Sequence, residues 1–421
     1  MKFIHAADIH LDSPLTGLAS YPGVPVDLLR AATRDAFTNL VDVAIEEAVD
    51  FVIIAGDLYD GSWKDYNTGL HFCHEMGRLN KVDIPVYLLL GNHDAESEMT
   101  KKLVLPSNVH QFDSRKATTF LIETLRVALH GRSFKDKATT ENLVPGYPDV
   151  VDGWLNIGVL HTALEGNSKH AHYAPCSITE LSTKGYDYWA LGHIHEYTVI
   201  QQDPCWIVFP GNLQGRHIRE TGAKGAVIVS ADETGILYVE RLMTDVLRWH
   251  VVNVDVSDAA NIGDVVRLVG QGFECLVADN SDNKPMMARV ILTEKTAAHG
   301  ELFGMAAHLH AEVLGQAAAI GVGQLWIEKV VDKTQSLLTS AEIKTRSNAI
   351  ADLQVLLEDA PHDALLLKDI EKELQQMVGK MPPELLAKVA AFKDIRNGEL
   401  APLITSASSE LVDYLSRTHQ G

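Results

Sequence analysis

Side chains of the types that bind metal ions follow five short apolar runs in the first half of the sequence. The runs are residues 3–6, 51–55, 86–90, 157–160 and 188–191. In α/β sheets, ligands bind in the loops beyond the carboxyl ends of the strands. If each run is a strand, the polar residues that follow it meet at one edge of a sheet, and we expect a metal centre there. The seven candidate ligands are Asp8, His10, Asp57, Asn92, His161, His193 and His195.

The spacing of these residues suits a site with two ions. Residues i and i+2 of an extended chain point to the same side, so Asp8 with His10, and likewise His193 with His195, can present two ligands together. Two metal ions in hydrolytic sites lie about 3.5–4 Å apart, a gap that a carboxylate spans and an imidazole does not. Asp57 is therefore the predicted bridging ligand. Three glycines beside the ligands are expected to allow sharp backbone turns: Gly56, Gly91 and Gly192.

The set of donor atoms indicates which ions and which substrates the site accepts. Imidazole, carboxylate and amide oxygen together suit Mn²⁺, with Fe or Zn²⁺ as alternatives, and no thiolate takes part. Two divalent ions bring four positive charges, and Asp8 and Asp57 bring two negative ones, which leaves about two positive charges to attract a phosphodiester. The four cysteines form no Cys-x-x-Cys pair, so we expect reduced thiols in a cytoplasmic protein.

The same motifs, in the same order, resemble those of the calcineurin-like metallophosphoesterase superfamily. Two stretches, residues 4–15 (IHAADIHLDSPL) and 209–220 (FPGNLQGRHIRE), are similar to the YhaO-type branch of the SbcD-like DNA repair exonucleases. The resemblance implies a four-layer α/β (α+β) sandwich with mixed β-sheets, then a small α+β capping domain and a C-terminal helical segment. We place these at residues 1–245, 246–337 and 338–421, because the pattern of apolar residues changes near both boundaries.

The resemblance also implies a role for each residue of the site. One metal ion is expected on Asp8, His10, Asp57 and His195. The other is expected on Asp57, Asn92, His161 and His193. His93 would protonate the leaving oxygen, and Asp94 would orient its imidazole. Arg216 and His217 follow the Pro-Gly-Asn turn and are candidates for contact with the phosphate, the alternative being a surface loop paired with Glu220.

The net charge of −20 bears on how the protein would hold a nucleic acid. Basic residues usually supply the non-specific part of DNA affinity, so this acidity argues against tight DNA binding by the chain alone and favours a partner. The resemblance implies an SbcC-like coiled-coil ATPase as that partner, and also a homodimer. No apolar run approaches the roughly 20 residues that span a bilayer, so we expect no membrane association. Apolar residues at helical spacing near the C-terminus either pack within that segment or form a docking surface: Leu366, Ile370, Leu374 and Met377.

The favoured function is that of a Mn²⁺-dependent DNA nuclease subunit in double-strand-break repair. It would act as an exonuclease on duplex ends or as an endonuclease on single strands. Phosphoprotein phosphatase or small-nucleotide phosphodiesterase activity is the alternative on the same fold, although Gly61 stands where phosphatases carry an arginine for the phosphate. A DNA-end-binding scaffold is the alternative without chemistry as its main role.

Overall fold

The fold is taken from a computed structural model of the chain. It describes residues 1–13, 26–60, 66–96, 103–137, 139–164, 173–203, 205–321, 323–337, 353, 356–381, 390–405, 407–408 and 411. Gly61 and most of the predicted helical stretch before residue 356 lie outside the described residues. Contacts between Cα atoms divide the chain into two compact units, residues 1–250 with 283–287, and residues 251–282 with 288–421.

The five apolar runs of the first unit are strands in the structure, and among the described residues seven more strands accompany them. They are β1 Lys2–Ala6, β2 Phe51–Ala55, β3 Val86–Leu89, β4 Val109–Gln111, β5 Thr118–Ile122, β6 Val127–Gly131, β7 Leu155–His161, β8 Tyr188–Gly192, β9 Thr198–Gln201, β10 Trp206–Phe209, β11 Gly225–Asp232 and β12 Gly235–Met243. The helices of this unit are α1 Val26–Glu46, α2 Tyr66–Asn80, α3 Asn92–Glu96 and α4 Ile178–Thr183, with a 3-10 turn at Val144–Gly146.

Two mixed sheets are formed by the described strands of this unit. In the first, the order is β12-β11-β1-β2-β3-β4; β1 to β4 run parallel, while β11 is antiparallel to both of its neighbours. In the second, the order is β5-β6-β7-β8-β10-β9; β6, β7, β8 and β10 run parallel, and the strands at the two edges are antiparallel. Parallel strands put their carboxyl ends at the same edge of a sheet, as the predicted metal centre requires.

The hydrophobic core lies in three layers, which accounts for the predicted four-layer sandwich. Between the two sheets, Phe3 and Phe51 of one sheet share a buried cluster with Tyr188 of the other. A second cluster joins α1 and α2 to the outer face of the first sheet, and a third joins α4 to the outer face of the second. The central strands of each sheet are therefore buried on both faces, which explains why β2, β3 and β8 are continuous apolar runs and not alternating ones. The predicted fold is confirmed.

The second unit has its own small sheet. Its strands are β13 Arg248–Asp255, β14 Met286–Thr293, β15 Lys295–Thr296, β16 Leu325–Asp332 and β17 Gln335–Ser336, and its first helices are α5 Ile262–Ala278, α6 His299–Leu302 and α7 Ala306–Ile320. Strands pair in the order β13-β14-β16, and β15 pairs with β17. The side chain of Asn261 caps α5 by accepting a hydrogen bond of 3.0 Å from the backbone of Asp264. The longer elements therefore follow one another as β13, α5, β14, α7 and β16.

The described part of the C-terminal segment is helical. Its helices are α8 Ala364–Val378 and α9 Ala390–Asn397, preceded by a 3-10 turn at Ala360–His362. Ile370 and Leu374 pack in a small cluster with residues of α9, whereas Leu366 and Met377 are 40% and 45% exposed. The apolar stripe is thus partly packed and partly exposed, so both predicted interpretations of it stay open. No helix among the described residues is long and apolar enough to cross a bilayer.

Candidate metal centre

The seven predicted ligands lie at or just beyond the carboxyl ends of five strands. Asp8 and His10 follow β1, Asp57 follows β2, and Asn92 begins α3 beyond β3. In the second sheet, His161 is the last residue of β7, and His193 and His195 follow β8. Because β1, β2 and β3 are parallel, as are β7 and β8, the two sheets bring these loops to one edge of the first unit.

The backbone at these ligands is not extended. Asp8, His10, Asp57 and His193 have φ angles of 50°, 46°, 52° and 100°, in the left-handed region that residues other than glycine rarely adopt. Such conformations each cost about 1–3 kcal/mol and persist where the surroundings hold them. Here the two loops hold each other: the backbone N–H groups of Asp8 and His10 donate, at 3.0 Å each, to the carbonyls of Gly56 and Asp57. The premise of an extended chain at Asp8 and His10 was therefore wrong, although the convergence that it predicted is present.

The first group of potential ligands comprises Asp8, His10 and His195. Their donor atoms all lie within 4.8 Å of one another. Nε2 of His195 is 3.2 Å from Nε2 of His10 and 3.8 Å from Oδ1 of Asp8. Asp8 and His10 are buried, and the carboxylate of Asp8 accepts hydrogen bonds from the backbone N–H of His193.

The second group comprises Asp57, His161 and His193, again with donor atoms within 4.8 Å. Nε2 of His161 lies 3.4 Å from Oδ2 of Asp57 and 3.0 Å from Oδ1 of Asn92. Its other nitrogen, Nδ1, is 3.0 Å from the carbonyl oxygen of Ala55 and is held as the donor. In the neutral ring, which binding of a metal ion would require, the lone pair is then on Nε2, the atom that faces the carboxylate and the amide oxygen.

Asp57 reaches both groups. Its Oδ2 atom is 3.4 Å from His161 of the second group and 3.9 Å from Nε2 of His10 in the first. Its Oδ1 atom accepts a hydrogen bond of 3.0 Å from the backbone N–H of His93. The carboxylate thus occupies the position that the predicted bridging ligand requires.

The spacing of these atoms fits metal ions. Nitrogen and oxygen atoms bound to one ion at about 2.0–2.2 Å stand roughly 3–3.5 Å from each other, close to the separations of 3.0–3.9 Å found here. Imidazole nitrogens and carboxylate and amide oxygens, without a thiolate, are ligands for Mn²⁺, Fe or Zn²⁺. The residues present therefore fit the two ions that the sequence predicts.

The electrostatics of the buried groups agree with a site that needs positive charge. Burial raises the pKa of the Asp8 carboxyl, so its ionised form has to be stabilised by cations. Burial also acts to raise the pKa of Asp57, but the neighbouring imidazole of His161 outweighs it and holds that pKa well below its usual range. His161 responds in the opposite sense: although burial lowers its pKa, the carboxylate of Asp57 raises it to about 9. Burial lowers the pKa of His10 to about 3, which keeps its imidazole neutral and able to bind a cation.

His93 lies beside the two groups and is more open to solvent, with 35% of its side chain exposed. Its ring stands edge-on to that of His10, with 5.0 Å between the ring centroids. Nδ1 of His93 is 3.3 Å from Oδ1 of Asp60. Asp60 in turn accepts a hydrogen bond of 2.8 Å from the hydroxyl of Ser13. An imidazole placed in this way can carry a proton at the rim of the site.

The side chain of Asp94 has a different environment from that of His93. It is fully buried, and its carboxylate accepts hydrogen bonds from the backbone N–H groups of Leu58, Tyr59 and Gly91, at 2.9–3.1 Å. These bonds fix the loop that carries Asp57. Burial, with Asp57 nearby, raises the pKa of Asp94 to about 7. The carboxylate next to the imidazole of His93 is that of Asp60, so the orienting role predicted for Asp94 falls more naturally to Asp60.

The predicted phosphate contacts lie at the border of the first group. The guanidinium of Arg216 pairs with Glu220 at 3.0 Å and lies 3.3 Å from both the hydroxyl of Ser13 and Nδ1 of His195. His217 is half-buried, and burial lowers the pKa of its imidazole. Arg216 thus lies near the centre, where it could contact a phosphate. It is also paired with Glu220, as the alternative interpretation of a surface loop expected.

Three side chains near the centre were not predicted from the sequence to belong to the metal site: Ser13, Asp60 and Glu220. Asp60 follows the bridging candidate Asp57 by three residues, and this spacing was the available signal. Glu220 is 25 residues from His195, whose Nδ1 it contacts at 2.7 Å. No local pattern in the sequence links those two residues.

The glycines beside the site serve close packing more than sharp turns. Gly56 has φ +97° and does need the left-handed conformation, whereas Gly91 and Gly192 are not among the residues with positive φ. A Cβ atom at Gly91 would overlap the carboxylate of Asp57. One at Gly192 would overlap the carbonyl oxygen of Ala55 and lie 2.9 Å from Nδ1 of His161.

Gly192→Ala is therefore expected to lower the free energy of unfolding by about 1–3 kcal/mol, the usual cost of overpacking, and to weaken metal binding. The added methyl group would separate the imidazole of His161 from the carbonyl of Ala55 that orients it. Urea unfolding and a Mn²⁺ titration measure the two effects. Gly77→Ala, in α2 with no heavy atom within 4 Å of its Cβ, is the control and should leave both unchanged or slightly raise stability. If Gly192→Ala and Gly77→Ala had the same effect on stability and on Mn²⁺ affinity, the proposed packing role of Gly192 would be contradicted.

Comparisons with known proteins agree with the geometry. The family model described as calcineurin-like phosphoesterase matches residues 1–197, and the one described as metallophosphoesterase YhaO, middle domain, matches residues 249–335. Metallophosphoesterase YhaO of Bacillus subtilis (strain 168) is 35% identical over 295 residues, which are 69% of this chain and 71% of that protein. The DNA double-strand break repair protein Mre11 of Sulfurisphaera tokodaii is 25% identical over 307 residues, 70% of this chain and 74% of that protein.

The resemblance predicted from the sequence is thus confirmed. The first matched region contains the strand-end segments that carry all seven candidate ligands, and the second covers the small sheet with α5 and α7. The relative at 35% identity spans more than two thirds of both chains. This protein therefore belongs to the calcineurin-like metallophosphoesterase family and is a metal-dependent phosphoesterase.

Proposed function

We propose that this phosphoesterase is a DNA nuclease subunit that acts in double-strand-break repair. The observation that carries the proposal is the convergence of two ligand groups around Asp57, which suits hydrolysis of a phosphodiester. The choice of DNA as substrate is supported by the similarity to a protein named for DNA double-strand break repair. It rests on that likeness and not on the geometry alone.

In this proposal the predicted ligands hold two divalent ions, with Mn²⁺ preferred to Fe or Zn²⁺. One ion would be held by Asp8, His10, Asp57 and His195. The other would be held by Asp57, Asn92, His161 and His193. Bound there, the pair would supply activation of a water molecule and would offset the charge on the phosphoryl oxygens. Asn92 adds no negative charge to its set, so the centre keeps a net positive charge for the phosphate.

The chain's own residues supply the proton and the alignment. His93 donates a proton to the leaving oxygen, a role that its partial exposure and its position beside His10 allow. Asp60, at 3.3 Å, keeps Nδ1 of that imidazole in place, so that Nε2 is directed away from the carboxylate. Arg216 and His217 contact a phosphate of the substrate at the border of the site.

The remaining parts of the proposal concern partners. Because its net charge is −20, the chain depends on another subunit for affinity for DNA. We propose an SbcC-like coiled-coil ATPase for this, bound through the helical segment, which leaves Leu365 78% exposed. The protein would be a cytoplasmic homodimer, with its nuclease, capping and partner-binding domains at residues 1–245, 246–337 and 338–421.

The proposal is tested by offering the Mn²⁺-loaded protein four substrates: end-labelled duplex DNA, single-stranded DNA, a phosphopeptide and a cyclic nucleotide. Cleavage of DNA in the presence of Mn²⁺ and its loss in EDTA are the expected results, with higher rates when a coiled-coil ATPase of the SbcC type is added. Hydrolysis of the phosphopeptide or the cyclic nucleotide alone would replace the nuclease with a phosphatase or a small-nucleotide phosphodiesterase. Tight binding of DNA ends in EDTA, without cleavage in Mn²⁺, would favour a scaffold.

A further inference from the structure

Glu220 is a buried carboxylate in the segment that links β10 to β11. We infer that Glu220 is a positioning residue of the metal centre: it holds the imidazole of His195 so that Nε2 is presented to a metal ion. The inference rests on the proposed metal centre, but it does not depend on DNA being the substrate.

The geometry at His195 fixes which nitrogen faces the centre. Nδ1 of His195 is 2.7 Å from Oε1 of Glu220, whereas Nε2 lies 3.2 Å from Nε2 of His10 and 3.8 Å from Asp8. A carboxylate only accepts hydrogen bonds, and its 2.7 Å contact with Nδ1 is shorter than the 3.3 Å from Nδ1 to the guanidinium of Arg216. We therefore place the hydrogen on Nδ1 and the lone pair of the neutral ring on Nε2. Histidines that bind metals commonly donate their second N–H to a carboxylate or carbonyl in this way.

Glu220 is itself held on several sides. Its Oε2 atom accepts hydrogen bonds from the side chain of Asn212 at 3.0 Å and from the backbone N–H of Arg216 at 2.8 Å. The guanidinium of Arg216 is 3.0 Å from Oε1. With donors around it, the carboxylate stays ionised and cannot rotate freely, so the position of His195 is set by the segment from Asn212 to Glu220.

His161 and His195 differ in the group that holds Nδ1 of the imidazole. Nδ1 of His161 is held by a backbone carbonyl, that of Ala55, which no substitution of a side chain removes. The orientation of His195 depends instead on a side chain that can be replaced. The alternative is that Glu220 serves only to neutralise the partly buried guanidinium of Arg216. The two roles differ in what they predict for metal binding.

The test is a Mn²⁺ titration of Glu220→Gln by calorimetry, together with electron paramagnetic resonance of the bound ions. In the wild type we expect two ions per chain and the signal of a spin-coupled pair. In the variant one ion should bind about 10–100-fold more weakly, the range found when such orienting partners are removed. At limiting Mn²⁺ the signal should then be that of an isolated ion. Excess Mn²⁺ should restore most of kcat, because the ligands themselves are intact.

Glu75→Gln is the matched control. Glu75 is another buried carboxylate paired with an arginine, Arg78 at 2.7 Å, but it lies in α2. It should lose comparable stability and keep both ions. If Glu220→Gln fails to fold, Glu220→Asp takes its place, because the shorter side chain keeps the charge beside Arg216 while it withdraws from His195.

The outcomes separate this inference from the proposed function. A folded Glu220 variant with the Mn²⁺ affinity and the coupled signal of the wild type would overturn the positioning role. Loss of affinity that Glu75→Gln reproduces would overturn it too, because the effect would then be one of stability. A wild type that binds one ion or none would overturn the proposed metal centre, whatever the variants do.

Discussion

Replacing Asp57 by alanine is expected to remove both metal ions and to abolish hydrolysis. An oxygen of Asp57 lies within 4 Å of an imidazole in each ligand group, at 3.9 Å from His10 and 3.4 Å from His161. In the proposed centre the loss of Asp57 would remove the negative charge that both ligand groups share, and two bound cations would repel each other more strongly. We expect metal affinity to fall by more than about 100-fold. Removal of a residue that only orients a ligand lowers metal affinity by up to about that factor, and Asp57 is itself a proposed ligand.

The measurement is the metal content of protein that has been loaded with Mn²⁺ and passed through a desalting column. Asp187→Asn is the control, since Asp187 also lies beside the sandwich strands but at the opposite end of β8, where it accepts a hydrogen bond of 2.7 Å from the backbone of Asn156. The control should keep two ions per chain. Two tightly bound ions in the Asp57 variant would show that the bridge is made by another residue.

The sequence was sufficient to predict the fold of the first unit and the residues that meet at its edge. This succeeded because parallel strands place their carboxyl ends together, so a repeated pattern of apolar run and polar residue has a direct spatial meaning. The pairing order of the strands had no such signal. For example, β1 pairs antiparallel with β11, more than 200 residues away, and this contact depends on the closure of the whole sheet.

The details of the site were harder to predict because they depend on contacts between loops. The left-handed backbone at Asp8 and His10 is held by carbonyl groups of residues 56 and 57, which no local pattern reveals. Glu220 contacts His195 although β9 and β10 lie between them in the chain, and Asp60 contacts His93 from a different loop. Asp94 follows His93 directly in the sequence, yet its side chain points to the backbone of Leu58 and Tyr59. Adjacency along the chain is a poor guide to contact in loops.

His93→Ala is expected to leave the metal content near that of the wild type while hydrolysis collapses by about 10²–10⁴-fold, the usual contribution of a general acid. Alanine keeps the backbone N–H that donates to Asp57, and the removed imidazole belongs to neither ligand set proposed here. The loss should depend on the leaving group. Esters of p-nitrophenol, whose anion leaves without a proton, should lose far less than esters of alkyl alcohols.

Two further variants decide which carboxylate orients His93. Asp60→Asn should lower kcat for the alkyl esters with little change in stability, because Asp60 is partly exposed and 3.3 Å from the imidazole. Asp94→Asn should instead lower the free energy of unfolding, since its carboxylate accepts three backbone hydrogen bonds in a buried turn. If Asp94→Asn reproduced the leaving-group dependence of His93→Ala at unchanged stability, the role would return to Asp94. If His93→Ala stripped the metals, the imidazole would be a ligand and the proton would have to come from another group.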